Sequence, residues 1–541
     1  NLLKILISVL LIVTIFIGYF AYFGITTSQF NSFIKEQFKK QNNNLDIDLK
    51  KVKLHLDLND ISIKLKTKNP KIILNNSDKI ELDEISLNIS ISSYFQKRFA
   101  IKNMSIKSKN NEISSYINFY KLNNNKLQLI LFNQALKSGM AKINIDLQFD
   151  DTGKIKNNYN LTGKISNVEL QIPKNIKELN FNFEIKDKYY KFEKILFKFN
   201  EIKFSSELIN IKQKNEKFYV NGNLINKNNK INNDIILLIF NNNLKNFDFS
   251  NSKFDSISEF GFELSKKFKI KNLKVDTKLN IDELILKYEL YKFKNYIKNY
   301  NDSIKLKDNK IHIKYSEKKF FIDGSSEFYI DKNYKNLLNF KIEKSKNNTT
   351  FKTFLDLKNI DLKFDDISYK KIIKDNAILQ INGFKNNKSI LFKNVKYKNN
   401  KNEIEINNLE INNNKILNID KIRFDYLTKN KFKNQITLNR KKNNFELTGK
   451  SFDSTDLIQK ISNSEPGKNF FSIFKNLSTK IKIDIDAVKL DQEHIVNNFN
   501  GNLEVKNSKI FDLNLNSNFN INDKIFISIK TEKDNTVVTT F

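Results

Sequence analysis

From Leu45 to the end of the chain, apolar residues return at every second position. Leu45, Ile47 and Leu49 alternate with Asp46, Asp48 and Lys50. Val52, Leu54, Leu56 and Leu58 follow, then Ile61, Ile63 and Leu65, then Ile85, Leu87, Ile89 and Ile91. The pattern persists at Ile404 and Ile406, at Ile481, Ile483 and Ile485, and at Leu513 and Leu515. A period of two places one side-chain set on each face of a strand, so these are half-buried strands with one apolar and one wet face. Between the runs stand Asn-rich turns: 123–125, 241–243 and 412–414, with DDTG at 150–153 and Asn522-Asp523. Asn and Asp tolerate φ > 0 and serve as turn formers in place of Gly. Short turns between alternating strands predict a long antiparallel meander.

Helices that could cover the apolar faces are few. The sequence predicts them at 132–140, 254–267 and 291–300, and two around 453–477 broken by Pro466-Gly467. Roughly thirty strands cannot lie in one flat sheet without curling, splitting or closing. The expectation is a mainly β protein whose meander curls into an elongated trough, with few short helices. Six glycines recur between alternating apolar residues, at Gly163, Gly222, Gly324, Gly383, Gly449 and Gly501. They mark bulges or bends that relieve sheet coiling, or one module repeated along the body.

The N-terminus differs from everything after it. Residues 5–25 read ILISVLLIVTIFIGYFAYFGI, without a charge. At about 1.5 Å per residue, ~20 such residues cross a bilayer core of ~30 Å. The run exceeds a signal-peptide core and no small-residue cleavage site follows it. This predicts an uncleaved anchor through Ile5, Leu10, Ile15, Phe20 and Ile25, after a stub of residues 1–4. At 26–42, Phe30, Phe33, Ile34 and Phe38 fall at helical spacing with Lys35, Lys39 and Lys40 on other faces. That is an amphipathic juxtamembrane helix continuing from the span, lying on the bilayer or packed on the body. Residues 43–541 form the body, expected to be cut short at its C-terminal end, where TVVTTF reads as strand without a cap.

Composition removes several function classes. The net charge is +33, but Arg occurs only at Arg98, Arg423 and Arg440, and Lys is spread along the whole chain. Nucleic-acid readers favour Arg for its bidentate fork, so no nucleic-acid partner is expected. Cysteine is absent, which excludes disulfides, thiolate metal sites and thiol nucleophiles. His55, His312 and His494 are isolated, without metal spacing, and no phosphate-binding or nucleophile motif occurs. Asp484, Asp486 and Asp491 fit a wet strand face and lack the Gly-centred loop of a calcium site. No enzyme activity, cofactor or metal is expected.

The order of parts resembles the AsmA-like family. A single N-terminal span and an amphipathic helix lead into LDIDLKKVKLHLDLNDISIKLK (45–66). KIELDEISLNISISSYFQKRFAIKNMSIKSKN (79–110) follows, with Ile101, Met104 and Ile106 in its last strand. FELTGKSFDSTDLI (445–458) and KIKIDIDAVKL with FNGNLEV (480–490 and 499–505) resemble the central region of the YhdP-like branch, related to TamB-like bridge-type lipid carriers. The resemblance implies a Gram-negative protein anchored by a single pass in the inner membrane with its bulk in the periplasm. It implies phospholipid carried along a β-groove toward the outer membrane, with outer-membrane or envelope proteins at the far end. On that reading Leu54, Leu56, Ile61, Ile63, Ile85, Leu87, Ile89 and Ile91 line the groove. The alternative is a membrane-tethered scaffold for outer-membrane protein assembly with a sealed β-interior. A sandwich with facing side chains about 10 Å apart would favour it.

Overall fold

The structure is a computed structural model. It describes residues 2–41, 44–74, 78–121, 132–171, 176–231, 246–249, 252–265, 269–287, 295–298, 303–330, 334–413, 415–462, 478–506, 509–520, 522–532 and 535–540. The chain is mainly β. Among the described residues are 35 strands, β1–β35; 33 of them join one sheet and two form a separate hairpin. Among the described residues the sheet is not closed into a barrel. The ladders between sequential strands are antiparallel except β30 (Asn444–Asp453) against β31 (Thr479–Lys489), which is parallel. The chain divides into two compact units, Asn1–Asn229 with Asp255–Val275, and Lys230–Phe254 with Asp276–Phe541.

The first helix, α1 (Leu2–Tyr22), is long and apolar enough to cross a membrane, and none of it is buried. It stops before Ile25, which belongs to strand β1 (Ile25–Thr27) and pairs with Leu54 of β3 (Val52–Asp57). The reason is Gly24. Its φ is +68°, and a Cβ there would collide with the Leu54 carbonyl oxygen. The amphipathic helix α2 (Asn31–Gln41) is therefore separate from α1. It is tied to the body by the Asn31 amide donating to the carbonyls of Leu49 and Lys50 and by a Lys35–Asp46 ion pair. Phe30 and Phe33 are exposed and Ile34 is half-buried; the Phe38 side chain lies outside the described residues.

The hairpin turns explain how so few glycines suffice. Asn200-Glu201, Asn215-Glu216 and Glu317-Lys318 all have φ between 47° and 68° at both positions. This is the mirror-image turn whose twist matches that of paired strands. The runs 123–125 and 241–243 lie outside the described residues.

Two helix expectations are overturned. Residues 254–267 fall on strand β16 (Lys253–Leu264), whose Phe254, Phe260 and Phe262 belong to a period of two. Of 132–140, only the first turn is helical before β9 (Leu136–Gln148) begins. The 291–300 stretch is described only at 295–298, a turn bridging Ile297 to Leu362. Of 453–477, a helix over Thr455–Ser462 (here α5) is described, its first amide capped by the Asp453 carboxylate, and 463–477 lies outside the described residues. Two helices were not foreseen: α3 (Ile91–Phe95) and α4 (Ile113–Lys121).

Bulges keep the apolar residues on one face where their spacing slips. In β6 (Asp78–Ser90) the apolar positions are Ile80 and Leu82, then Ile85, Leu87 and Ile89. The odd step coincides with a register shift between Leu82 and Glu84 against β7 (Ile101–Ser108). A second shift takes up the step from Ile101 to Met104. An extra residue in one strand restores the face and bends the sheet.

Candidate functional site: an apolar face continuous from strand to strand

Partners in register on neighbouring strands share a face, so the pairing fixes which side chains lie side by side. In the N-terminal unit, Ile85 pairs with Ile106, Ile106 with Ile145 and Ile145 with Leu161. The row goes on through Ile185, Tyr190 and Ile211 to Val220. Two parallel rows open the sheet: Leu54–Leu65–Leu87–Met104–Leu147 and Leu56–Ile63–Ile89–Ile101. In the C-terminal unit one row is unbroken across fourteen strands. It runs from Ile311 through Gly324, Phe340, Thr353, Ile381, Val395, Ile406, Ile422, Leu438, Leu447, Ile483, Gly501 and Leu515 to Ile527. Apart from Val220, Ile483 and Leu515, which are buried, these side chains are half-buried. An apolar surface of this length left in water is far above what soluble proteins leave exposed.

Six of the eight lining residues read from the sequence stand in these rows: Leu54, Leu56, Ile63, Ile85, Leu87 and Ile89. The other two do not. Ile61 sits in the turn between β3 and β4 (Ser62–Lys68) at φ +46°, 63% exposed, and Ile91 opens α3. Both continue the alternation on paper, but the chain has already turned. The rows across β9, β10 (Asn160–Leu170), β11 (Ile176–Lys186), β12 (Tyr189–Phe199), β13 (Ile202–Lys214) and β14 (Lys217–Lys230), and the row of the C-terminal unit, are apolar in the same way, and the sequence pattern marked none of their residues as lining. Cross-strand register, which sequence spacing alone does not fix, is what identifies them.

The six repeated glycines all lie on this face, none with positive φ. Their role is space. A Cβ at Gly163 would lie 2.6 Å from Phe183 Cζ, at Gly324 2.7 Å from Phe340 Cζ, and at Gly383 2.9 Å from Phe351 Cζ. In each case the cross-strand Phe ring lies over the glycine. The bend reading holds at Gly383 and Gly449, which sit at register shifts. Gly324→Ala is therefore expected to cost about 1–3 kcal/mol through overpacking. In a Phe340→Leu background the cost should shrink, as local hydrogen exchange of β18–β20 (Ile304–Lys344) would report.

Each unit covers part of its own apolar face. In the N-terminal unit, Tyr116 and Phe119 of α4 pack against the buried cluster of Leu45, Ile72, Leu74, Ile80 and Leu82, on which Ile85 and Ile106 also pack. The Tyr116 hydroxyl donates to Ser108 at 2.7 Å and accepts from the Asn111 amide at 3.0 Å. In the C-terminal unit the hairpin β22–β23 (Leu362–Phe364 and Tyr369–Lys371) performs this role. Tyr369 is edge-on to both Tyr397 and Tyr426, at 5.9 and 5.4 Å, and its hydroxyl lies 2.9 Å from that of Tyr397. Tyr426 donates to the Ile367 carbonyl at 2.5 Å and accepts from Asn434. Lys371, 1% exposed, donates to the carbonyls of Lys358, Ile360 and Ile372 at 2.7–3.0 Å.

Burial pushes the phenols of Tyr369, Tyr397 and Tyr426 up from their ordinary value of 10.0. The folded state keeps them neutral while the unfolded state ionises, so their contribution is complete below pH 10.0 and is lost as pH rises above it. The expected result is that the 295 nm absorbance of these three rises only together with loss of exchange protection over 360–372. Titration of all tyrosines near pH 10 with the hairpin still protected would contradict it.

The opposite face carries charge. Lys66–Glu84, Lys396–Glu403 and Lys480–Glu504 pair across strands at 2.6, 2.9 and 3.3 Å. Partly open to water, such pairs add little stability and mainly keep that face wet. His312 belongs here, with Nε2 2.7 Å from Asp276 and Nδ1 3.5 Å from Asp323. His494 contacts Asp491 in a turn. Among the described residues no group of three or more His, Asp or Glu side chains is placed to hold a metal ion. The chain matches no protein-family model, no curated protein and no solved structure.

Proposed function

We propose that the chain carries phospholipids along its apolar sheet face while α1 holds it in the inner membrane, with the body in the periplasm. The observation that carries this reading is the unbroken half-exposed row, repeated strand after strand within each unit. Acyl chains laid on it gain about 0.8 kcal/mol per methylene fully buried, while headgroups stay at the uncovered margin in water. Successive strands stand ~4.8 Å apart. A chain shifted by one strand exchanges one Ile, Leu or Phe contact for another, so neighbouring positions are nearly equal in free energy. That is the property of a conduit; a closed pocket would hold one ligand in one place. The resemblance to AsmA-like carriers supports the same reading and adds the outer membrane as the destination.

A sealed scaffold for outer-membrane proteins needs a second layer against the apolar face. Among the described residues the strands outside the main sheet are the two of the β22–β23 hairpin. The test is transfer of a fluorescent phospholipid from donor vesicles bearing the full chain to acceptor vesicles. Transfer well above protein-free vesicles is expected. A folded chain that accelerates nothing would overturn the carrier reading in favour of the scaffold.

A further inference from the structure

Outside the rows, the largest exposed apolar side chains of the body in the N-terminal unit gather at one place. Leu58 and Ile61, in the β3–β4 turn, are 58% and 63% exposed; Tyr94 and Phe95, in α3, are 69% and 78% exposed. The turn and α3 are neighbours. Ser62 pairs with Ser90, the residue that caps α3, and the Ile91 amide donates to the Ile61 carbonyl. Lys97 and Arg98 follow α3 directly and are exposed. The end of α1 packs against the neighbouring strand β3. Because β1 runs antiparallel to β3 with Ile25 opposite Leu54, tracing back from β1 into α1 leads along β3 toward that same turn.

We infer that this rim, Leu58, Ile61, Tyr94 and Phe95 with Lys97 and Arg98, is a second membrane contact that enters the headgroup layer of the bilayer spanned by α1. The occupant is a lipid surface for three reasons. The patch is continuous with the anchor's exit. It combines aromatic and aliphatic tips with adjacent cations, the chemistry of a bilayer interface, where aromatic side chains sit at headgroup depth and cations meet phosphates. It also stands at the ends of β3, β4 (Ser62–Lys68) and β6, where the row Leu56–Ile63–Ile89 begins. A rim seated in the interface puts the first apolar residues of the face within reach of acyl chains leaving the bilayer. One tether alone would let the body pivot; two contacts fix its tilt. The inference rests on α1 spanning a membrane, and it does not depend on lipid transfer.

The chain has no cysteine, so single substitutions can be labelled without background. The full chain would be reconstituted into phosphatidylcholine–phosphatidylglycerol vesicles, carrying an environment-sensitive fluorophore at Ile12→Cys, Leu58→Cys, Phe95→Cys or Lys188→Cys. Spin-labelled phospholipid serves as quencher. Leu58 and Phe95 are exposed, so their labels need no repacking, and circular dichroism of each variant checks the fold. The expected result is blue-shifted emission and quenching at Ile12, Leu58 and Phe95, with neither at Lys188 in the β11–β12 hairpin turn. Quenching at Ile12 with none at Leu58 and Phe95 would overturn the second contact while leaving the anchor intact. Quenching at none of them would overturn the anchor and the inference together.

Discussion

Ile145→Glu combined with Ile185→Glu should stop lipid movement along the N-terminal unit without unfolding it. Both side chains stand in one row, separated by Leu161, and both are half-buried. An unpaired polar group held against hydrocarbon costs about 1–3 kcal/mol, and a charge costs more. Two such sites amount to about 3 kcal/mol or more against an acyl chain crossing them, a loss on the order of 100-fold in occupancy, since 1.4 kcal/mol is tenfold. The carboxylates can reach water at the uncovered margin when no lipid is present, so the strands should persist. The control is Lys142→Glu with Lys186→Glu, positions of the same two strands on the wet face. It alters charge by more and should leave transfer in the vesicle assay unchanged. Equal loss in both variants would mean that net charge, and not the row, governs transfer.

Tyr369→Ala is the second substitution with a large expected effect. Tyr369 is 1% exposed and fills the gap between Tyr397 and Tyr426 beneath the hairpin. Truncating a buried aromatic to alanine costs about 3–5 kcal/mol through lost contact and the cavity left behind. Tyr369→Phe keeps the ring, loses the hydroxyl contact with Tyr397, and should cost about 1 kcal/mol. In a body built of successive strands each element leans mainly on its neighbours, so the loss should be local. Hydrogen exchange over 360–372 and at the ends of β25 (Ile390–Asn399) and β28 (Lys421–Leu427) should quicken, while β9–β13 stay protected. Uniform quickening in both units would contradict a local covering element.

The alternation made strand type and the apolar face legible in sequence, and the charge-free N-terminal run made legible a first helix long and apolar enough to cross a membrane. The slips in phase at Leu82–Ile85 and Ile101–Met104 were also written in the sequence, as odd steps between apolar residues; register turned them into bulges. What could not be read there depends on contacts far apart in the chain. Tyr369, Tyr397 and Tyr426 are spaced without local meaning and meet only because β25 and β28 bring their ends to one margin. Ile61 and Ile91 continue a period-two pattern across positions where the chain turns, so pattern placed them on the face and backbone removed them. Residues 254–267 read as a helix because Phe254, Ile257, Phe260 and Leu264 stand three or four residues apart, while Phe254, Phe260, Phe262 and Leu264 also keep the period of two that the strand uses. The helix α4 escaped because its Ser and Asn content hides a short stripe of Ile113, Tyr116 and Ile117.

The most direct measurement is site-specific photocrosslinking along single strands of the full chain in lipid vesicles. A photoreactive residue is placed in turn at Ser86, Leu87, Asn88 and Ile89 of β6, and at Glu405, Ile406 and Asn407 of β26 (Asn402–Asn412). The account expects phospholipid adducts at Leu87, Ile89 and Ile406 and none at their neighbours, a period of two that only a lipid lying on the apolar face produces. Adducts at every position alike, or at none, would contradict it.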